Sequence, residues 1–96
     1  MGKANPWEVL AMRRKIKKFN TIGFTEAMKV LTSLRNLGLD KDILIATEVT
    51  RTLVWACNKT KEHGEDKEKR NFNVMTRFLI KEYKKTLGLV EPKPQE

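Results

Sequence analysis

The chain has 96 residues, 40% of them apolar and 33% charged, with a single cysteine and a formal net charge of +8 at neutral pH. A chain this short builds one domain with a small core; lone Cys57 excludes an intrachain disulfide and a cysteine-rich metal site, and no apolar run is long enough to cross a bilayer. The charge is spread evenly, 9 basic against 5 acidic residues up to Glu48 and 11 against 7 beyond it, so it belongs to a folded surface that favours anionic partners rather than to a basic tail.

In chain order, Asn5-Pro6 reads as an N-cap followed by proline at the first helical position, with Glu8 near the positive end of the helix dipole. Trp7, Leu10, Met12 and Ile16 supply apolar contacts that continue to Phe19. Arg13, Arg14, Lys15, Lys17 and Lys18 interrupt them, so this helix is expected to lie on the rest of the chain by a narrow stripe, with Trp7 as a partly exposed anchor. After a connection over 20–23, Thr25 or Thr21 is the expected cap of a second helix, in which Ala27, Val30, Leu31 and Leu34 recur at spacings of three and four. Gly38 can take the positive φ that closes it.

Asp40 is the expected cap of the next helix, which carries the apolar patch Ile43, Leu44 and Ile45. Thr47 is the expected cap of the one after, where Val49, Leu53, Ala56 and Cys57 share a face and Trp55 adds an aromatic to the core. The β-branched run over 43–50 also has strand propensity, yet two short successive helices account better for the spacing. Residues 59–70 hold nine charged side chains and nothing apolar, which suits a solvated connection with helical charge pairs from Glu65 onward. Phe72, Val74, Met75, Phe78, Leu79, Tyr83 and Leu87 then form a broad stripe on a last helix that ends near Gly88. Pro92 and Pro94 mark a disordered tail. Leu31, Leu53 and Phe78 are expected to point into a common centre.

Chemistry-bearing residues are sparse. His63 is the only histidine and sits in the charged connection, so it reads as solvated, with no second histidine to complete a metal site. Asp40 with Asp42 and Glu65 with Asp66 suit helix starts rather than an acid–base pair, and no glycine-rich phosphate loop is present. Cys57 is expected as an inert buried thiol. No enzyme, cofactor or metal is expected. No secretory apolar segment follows Met1, which leaves the Asn58-Lys59-Thr60 acceptor without a route to glycosylation and points to an intracellular site.

The segment EAMKVLTSLRNLGLDKDILIATEVTRTLVWACNK, followed after an interval by NVMTRFLIKEYKKTL, resembles the TFIIS N-terminal domain family, which also includes related domains in Elongin A, the Mediator complex and the integrase-binding domain of LEDGF. Ile43-Leu44 with Thr47, Val49 and Leu53 is similar to the family's middle element. Leu79 to Lys84 is similar to its last, with Tyr83 where a tryptophan is usual. The likeness covers Phe24 to about Leu87 and lies in order and spacing rather than in a rare motif; apolar residues at helical spacing are common to unrelated bundles as well. Thr50 stands where the family often has glycine, and the interval over 58–71 is longer than usual.

The resemblance implies an all-α, compact right-handed bundle of four or five short helices, divided as an N-terminal helix and connection over 1–22, the family-like domain over 23–88 and a disordered tail over 89–96. It implies a nuclear, monomeric docking module in transcription elongation or chromatin regulation that binds disordered acidic-hydrophobic peptide segments without catalysis and without contacting a membrane. The loops over 21–24 and 38–41 are candidate borders of a peptide seam, with Phe24, Leu39 and Lys41 as candidate contacts; Phe24 and Leu39 serve equally well as core staples. In the integrase-binding branch a carboxylate before the second helix receives peptide donors, and this chain has no acid between Val9 and Phe24.

The alternative is a basic domain that holds nucleic acid nonspecifically through phosphates. Its candidate surface is Arg13, Arg14, Lys15, Lys17 and Lys18 on the first helix with Lys81, Lys84 and Lys85 on the last. No helix-turn-helix pattern, zinc finger or aromatic platform accompanies these residues.

Overall fold

The computed structural model describes residues 5–88; the expected tail over 89–96 lies outside them. Six helices follow one another: α1 Pro6–Lys17, α2 Phe19–Ile22, α3 Phe24–Leu37, α4 Lys41–Thr47, α5 Val49–Lys59 and α6 Lys67–Leu87. The described residues contain no sheet, and together they make a compact all-α domain. The count exceeds the four or five expected because the connection over 20–23 is largely the single turn α2. Lys18 (φ −105°, ψ 26°) breaks the line between α1 and α2, and Gly23 at φ 88° ends α2. The run over 43–50 is helical on both sides of Glu48 in spite of its β-branched residues, since packing overrides a propensity this small.

Several helix ends are built as their residues dictate. Asn5 accepts from the Trp7 amide at 2.8 Å, Asp40 from the Ile43 amide at 3.0 Å and Asp66 from the Lys69 amide at 3.0 Å, so each fills an orphan donor of a first turn. Two expected caps are absent. Thr25 is already inside α3, whose N-cap is Gly23, and its hydroxyl donates to Glu68 Oε2 at 3.4 Å. Thr47 is the buried last residue of α4 and donates to the Ile43 carbonyl at 2.8 Å; the residue between α4 and α5 is Glu48, held at φ 55°. α6 also starts earlier than the apolar stripe suggested, because Asp66 caps it within the charged connection.

Val9, Ile16, Ala27, Leu31, Leu34, Val49, Leu53, Ala56 and Phe72 are fully buried in one core that draws on α1, α3, α5 and α6, with Leu44 and Leu79 beside them. Burying an aliphatic or aromatic side chain of this size is worth about 1.5–3 kcal/mol. Phe19 is the hub. Its ring stacks on Phe24 at 5.5 Å between centroids and tilts against Trp55 at 5.7 Å and Phe72 at 5.2 Å, which ties α2 to α3, α5 and α6.

On α1 the inward stripe is Val9, Met12 and Ile16, whereas Trp7 is 74% exposed. Leu31 and Leu53 point inward as expected. Phe78 does not: it is 41% exposed and Val74 54%, since positions 72, 76, 79 and 83 take the inner face of α6. Polar Asn73 and Thr76 share that inner face. Asn73 Nδ2 donates to the Cys57 carbonyl at 2.9 Å and to Thr60 Oγ1 at 3.0 Å, and the Thr76 hydroxyl donates to the Asn73 carbonyl at 2.7 Å.

These contacts set helix direction. Thr25 meets Glu68 while Leu34 meets Tyr83, so α3 and α6 run parallel. Asn73 meets Thr60 while Val54 lies near Ile80 and Lys81, so α5 and α6 run antiparallel.

Candidate functional site

Phe24 and Leu39 do not border one seam. They stand at opposite ends of α3, whose 14 residues span roughly 21 Å at 1.5 Å per residue. Phe24 is half-buried against Phe19 and Phe72, and Leu39 is a core residue at 6% exposure, so both act as core staples. Lys41 is exposed at the start of α4.

The basic run of α1 does not form one patch either. Arg13 and Lys17, four apart, share the face toward α5. Lys15, roughly 200° round the helix from Arg13, lies instead between α1 and α3 beside Glu8, Glu26 and Lys29. Arg14 and Lys18 are exposed between these faces. On α6, Lys81 and Lys84 do come together, with Arg77, along the seam with α5; Lys85 is exposed one residue beyond.

That α5–α6 seam is a groove of about 370 Å³. Val54 and Cys57 of α5 and Ile80 of α6 give it an apolar lining; Asn58, Arg77, Lys81 and Lys84 complete it, with no carboxylate among the lining residues. Asn73 clamps α6 to the C-terminal end of α5 through the Cys57 carbonyl and Thr60 Oγ1, which ties the two walls together near one end of the groove. Half-buried Cys57 is thus a lining residue of the groove rather than a core thiol.

A second cleft, of about 490 Å³, lies on the other side of α5, against α1, and is lined by Arg13, Lys17, Glu48, Arg51, Thr52 and Trp55. Arg13 Nε donates to Thr52 Oγ1 at 2.8 Å, and Thr52 itself is buried. Glu48 and Arg51 approach to 3.9 Å with both side chains largely in solvent, a pair of little energetic weight.

The α3–α6 seam is apolar as well, with Met28, Val74, Met75 and Phe78. Its cation Arg35 is seated over the Phe78 ring at 5.3 Å, and Glu82 lies farther along, so charge does not select a partner there. Sequence reasoning missed Val54, Arg77 and Ile80. Arg77, Lys81 and Lys84 recur at spacings of four and three, and that pattern was the available signal.

Among the described residues no three His, Cys, Asp or Glu side chains are gathered as metal ligands would be, and His63 Nδ1 lies 3.2 Å from the Gly64 carbonyl. Tyr83 is the group whose acidity departs clearly from its ordinary value, its pKa pushed up to about 12 by burial. Compared with protein-family models, curated proteins and solved structures, the chain matches none.

Proposed function

We propose that the chain is a non-catalytic docking module for disordered peptides that combine acidic residues with an apolar anchor, a right-handed bundle of the kind the TFIIS N-terminal resemblance implies, acting in transcription or chromatin regulation in the nucleus. The observation that carries this is the α5–α6 groove: an apolar floor of Val54, Cys57 and Ile80 beneath Arg77, Lys81 and Lys84, with no acid to neutralise them. An apolar side chain on the partner gains by burial on that floor. Carboxylates flanking it gain encounter rate and register from the three cations, and basic competitors are repelled.

A polyanion such as nucleic acid would engage the same cations but leave the floor unused. Titrating the labelled protein with an acidic peptide bearing a Leu-Phe anchor should move the amides of Val54, Cys57, Ile80 and Lys81. An otherwise identical peptide with the anchor replaced by Ser-Ser should bind about tenfold or more weakly, since burying two such side chains is worth several kcal/mol before ordering costs. Equal affinity for the two peptides, or shifts confined to other elements, would count against docking in this groove; binding that ignores the anchor and falls steeply with salt would indicate phosphate-type contact instead.

A further inference from the structure

We infer that the α1–α5 cleft receives the phosphoryl group of a phosphorylated serine or threonine on the docked peptide, so that the partner is read at two points on opposite sides of α5. The inference rests on the docking role proposed above and adds a second specificity to it. Arg13, Lys17 and Arg51 face one carboxylate, Glu48, which leaves two positive charges in the cleft. A phosphoserine or phosphothreonine carries about −1.5 to −2 at neutral pH, whereas a carboxylate carries −1 and would leave positive charge unmatched.

The geometry of Arg13 points the same way. Its Nε is spent on the buried Thr52 hydroxyl at 2.8 Å, which holds the planar guanidinium in place while its two Nη groups remain for the forked contact that phosphate oxygens accept. Lys17 lies one turn farther along the same face of α1. The Glu48–Arg51 contact, long at 3.9 Å and exposed on both sides, is weak enough for a dianion to draw Arg51 away.

Convergence on one point separates this cleft from a nucleic-acid track. The remaining cations of α1 turn elsewhere: Lys15 to the α3 side, Arg14 and Lys18 to solvent. A backbone of successive phosphates would need cations continuing along its path.

The two sites share α5 as a wall: Arg51, Thr52 and Trp55 face the cleft, while Val54, Cys57 and Asn58 face the groove. A helix with its side chains is about 10–12 Å across, and an extended peptide advances about 3.3–3.6 Å per residue. The phosphorylated residue therefore sits about three residues from the apolar anchor.

The test uses the full chain and a fluorescent acidic peptide with a Leu-Phe anchor and phosphoserine about three residues away, its unphosphorylated twin, a single-stranded oligothymidylate of similar length, and free O-phosphoserine followed by amide shifts. The phosphopeptide is expected to bind about tenfold tighter than its twin, the effect of one or two charge-assisted contacts. Lys17→Gln, at an exposed position that cannot disturb the core, should reduce that ratio, and Arg13→Gln/Lys17→Gln should bring it close to one while the twin's affinity stays the same. Equal binding of the two peptides overturns the inference and leaves the docking role standing. Failure of both peptides, with phosphoserine still shifting Arg13, Thr52 and Trp55, overturns docking and supports the cleft; an unshifted cleft, or oligothymidylate binding tighter than the phosphopeptide, overturns the cleft assignment.

Discussion

Tyr83 gives the inner face of α6 its own probe, because it is the only tyrosine in the chain. Its ring is 6% exposed and its hydroxyl points to the Leu34 carbonyl at 3.4 Å, joining α6 to α3 near the end of both helices. Burial disfavours the phenolate and raises the pKa from 10.0 to about 12. A folded-state value above the unfolded one means that the stability held by the neutral ring is fully present below pH 10 and is lost as pH rises toward 12. Near-ultraviolet absorbance should therefore show tyrosinate forming near pH 12, or together with unfolding in the window between the two values. A half-point near 10 with circular dichroism unchanged would mean that the hydroxyl reaches water in the folded protein.

At the level of helices, the junction between α4 and α5 is the place where chain and fold disagree most. Glu48 adopts φ 55°, a left-handed conformation that costs an ordinary L-residue about 1–2 kcal/mol. The exposed pair with Arg51 returns little of that. Glu48→Gly is expected to raise stability by about 0.5–1 kcal/mol after glycine's greater unfolded-state entropy is subtracted, read as a higher denaturant midpoint at constant slope; a lower midpoint would show that the Glu48 side chain contributes more than its contacts indicate. The starts of α1 and α4 were legible from the caps Asn5 and Asp40, and α3 from its inward set Ala27, Val30, Leu31 and Leu34, although its expected threonine cap is not used. Thr47 misled because its hydroxyl has two uses, capping forward or bonding back to the Ile43 carbonyl, and only tertiary burial selects the second. Phe78 and Val74 misled because α6 buries Asn73 and Thr76 in their stead, and a polar residue pays for its place inside by clamping a neighbouring helix end, which no one-dimensional pattern reveals. The groove was half legible: Lys81 and Lys84 were marked as basic, but the α5 wall facing them depends on the antiparallel pairing of α5 with α6.

For the molecule as a whole, the question is whether α1 belongs to the folding unit or merely rests on it. The composition of α1 argues against a core role, since four cations crowd its second half and Lys18 follows directly. Yet Val9 and Ile16 are fully buried, and Phe19 just beyond it is the aromatic hub that touches Phe24, Trp55 and Phe72. Arg13 adds a hydrogen bond to Thr52 across the α1–α5 interface. Losing three such side chains forfeits about 4.5–9 kcal/mol of burial, comparable to the whole stability of a small domain. A chain starting at residue 23 is thus expected to lose its cooperative thermal transition and to bind an apolar dye through the uncovered faces of α3 and α5, whereas the full chain melts in one step with little dye bound. A fragment over 23–88 that melts cooperatively within a few degrees of the full chain would show that α3 to α6 close a core without α1. The α1–α5 cleft would then be a contact between a domain and its arm, and Arg13 would lose the rigid placement on which its role depends.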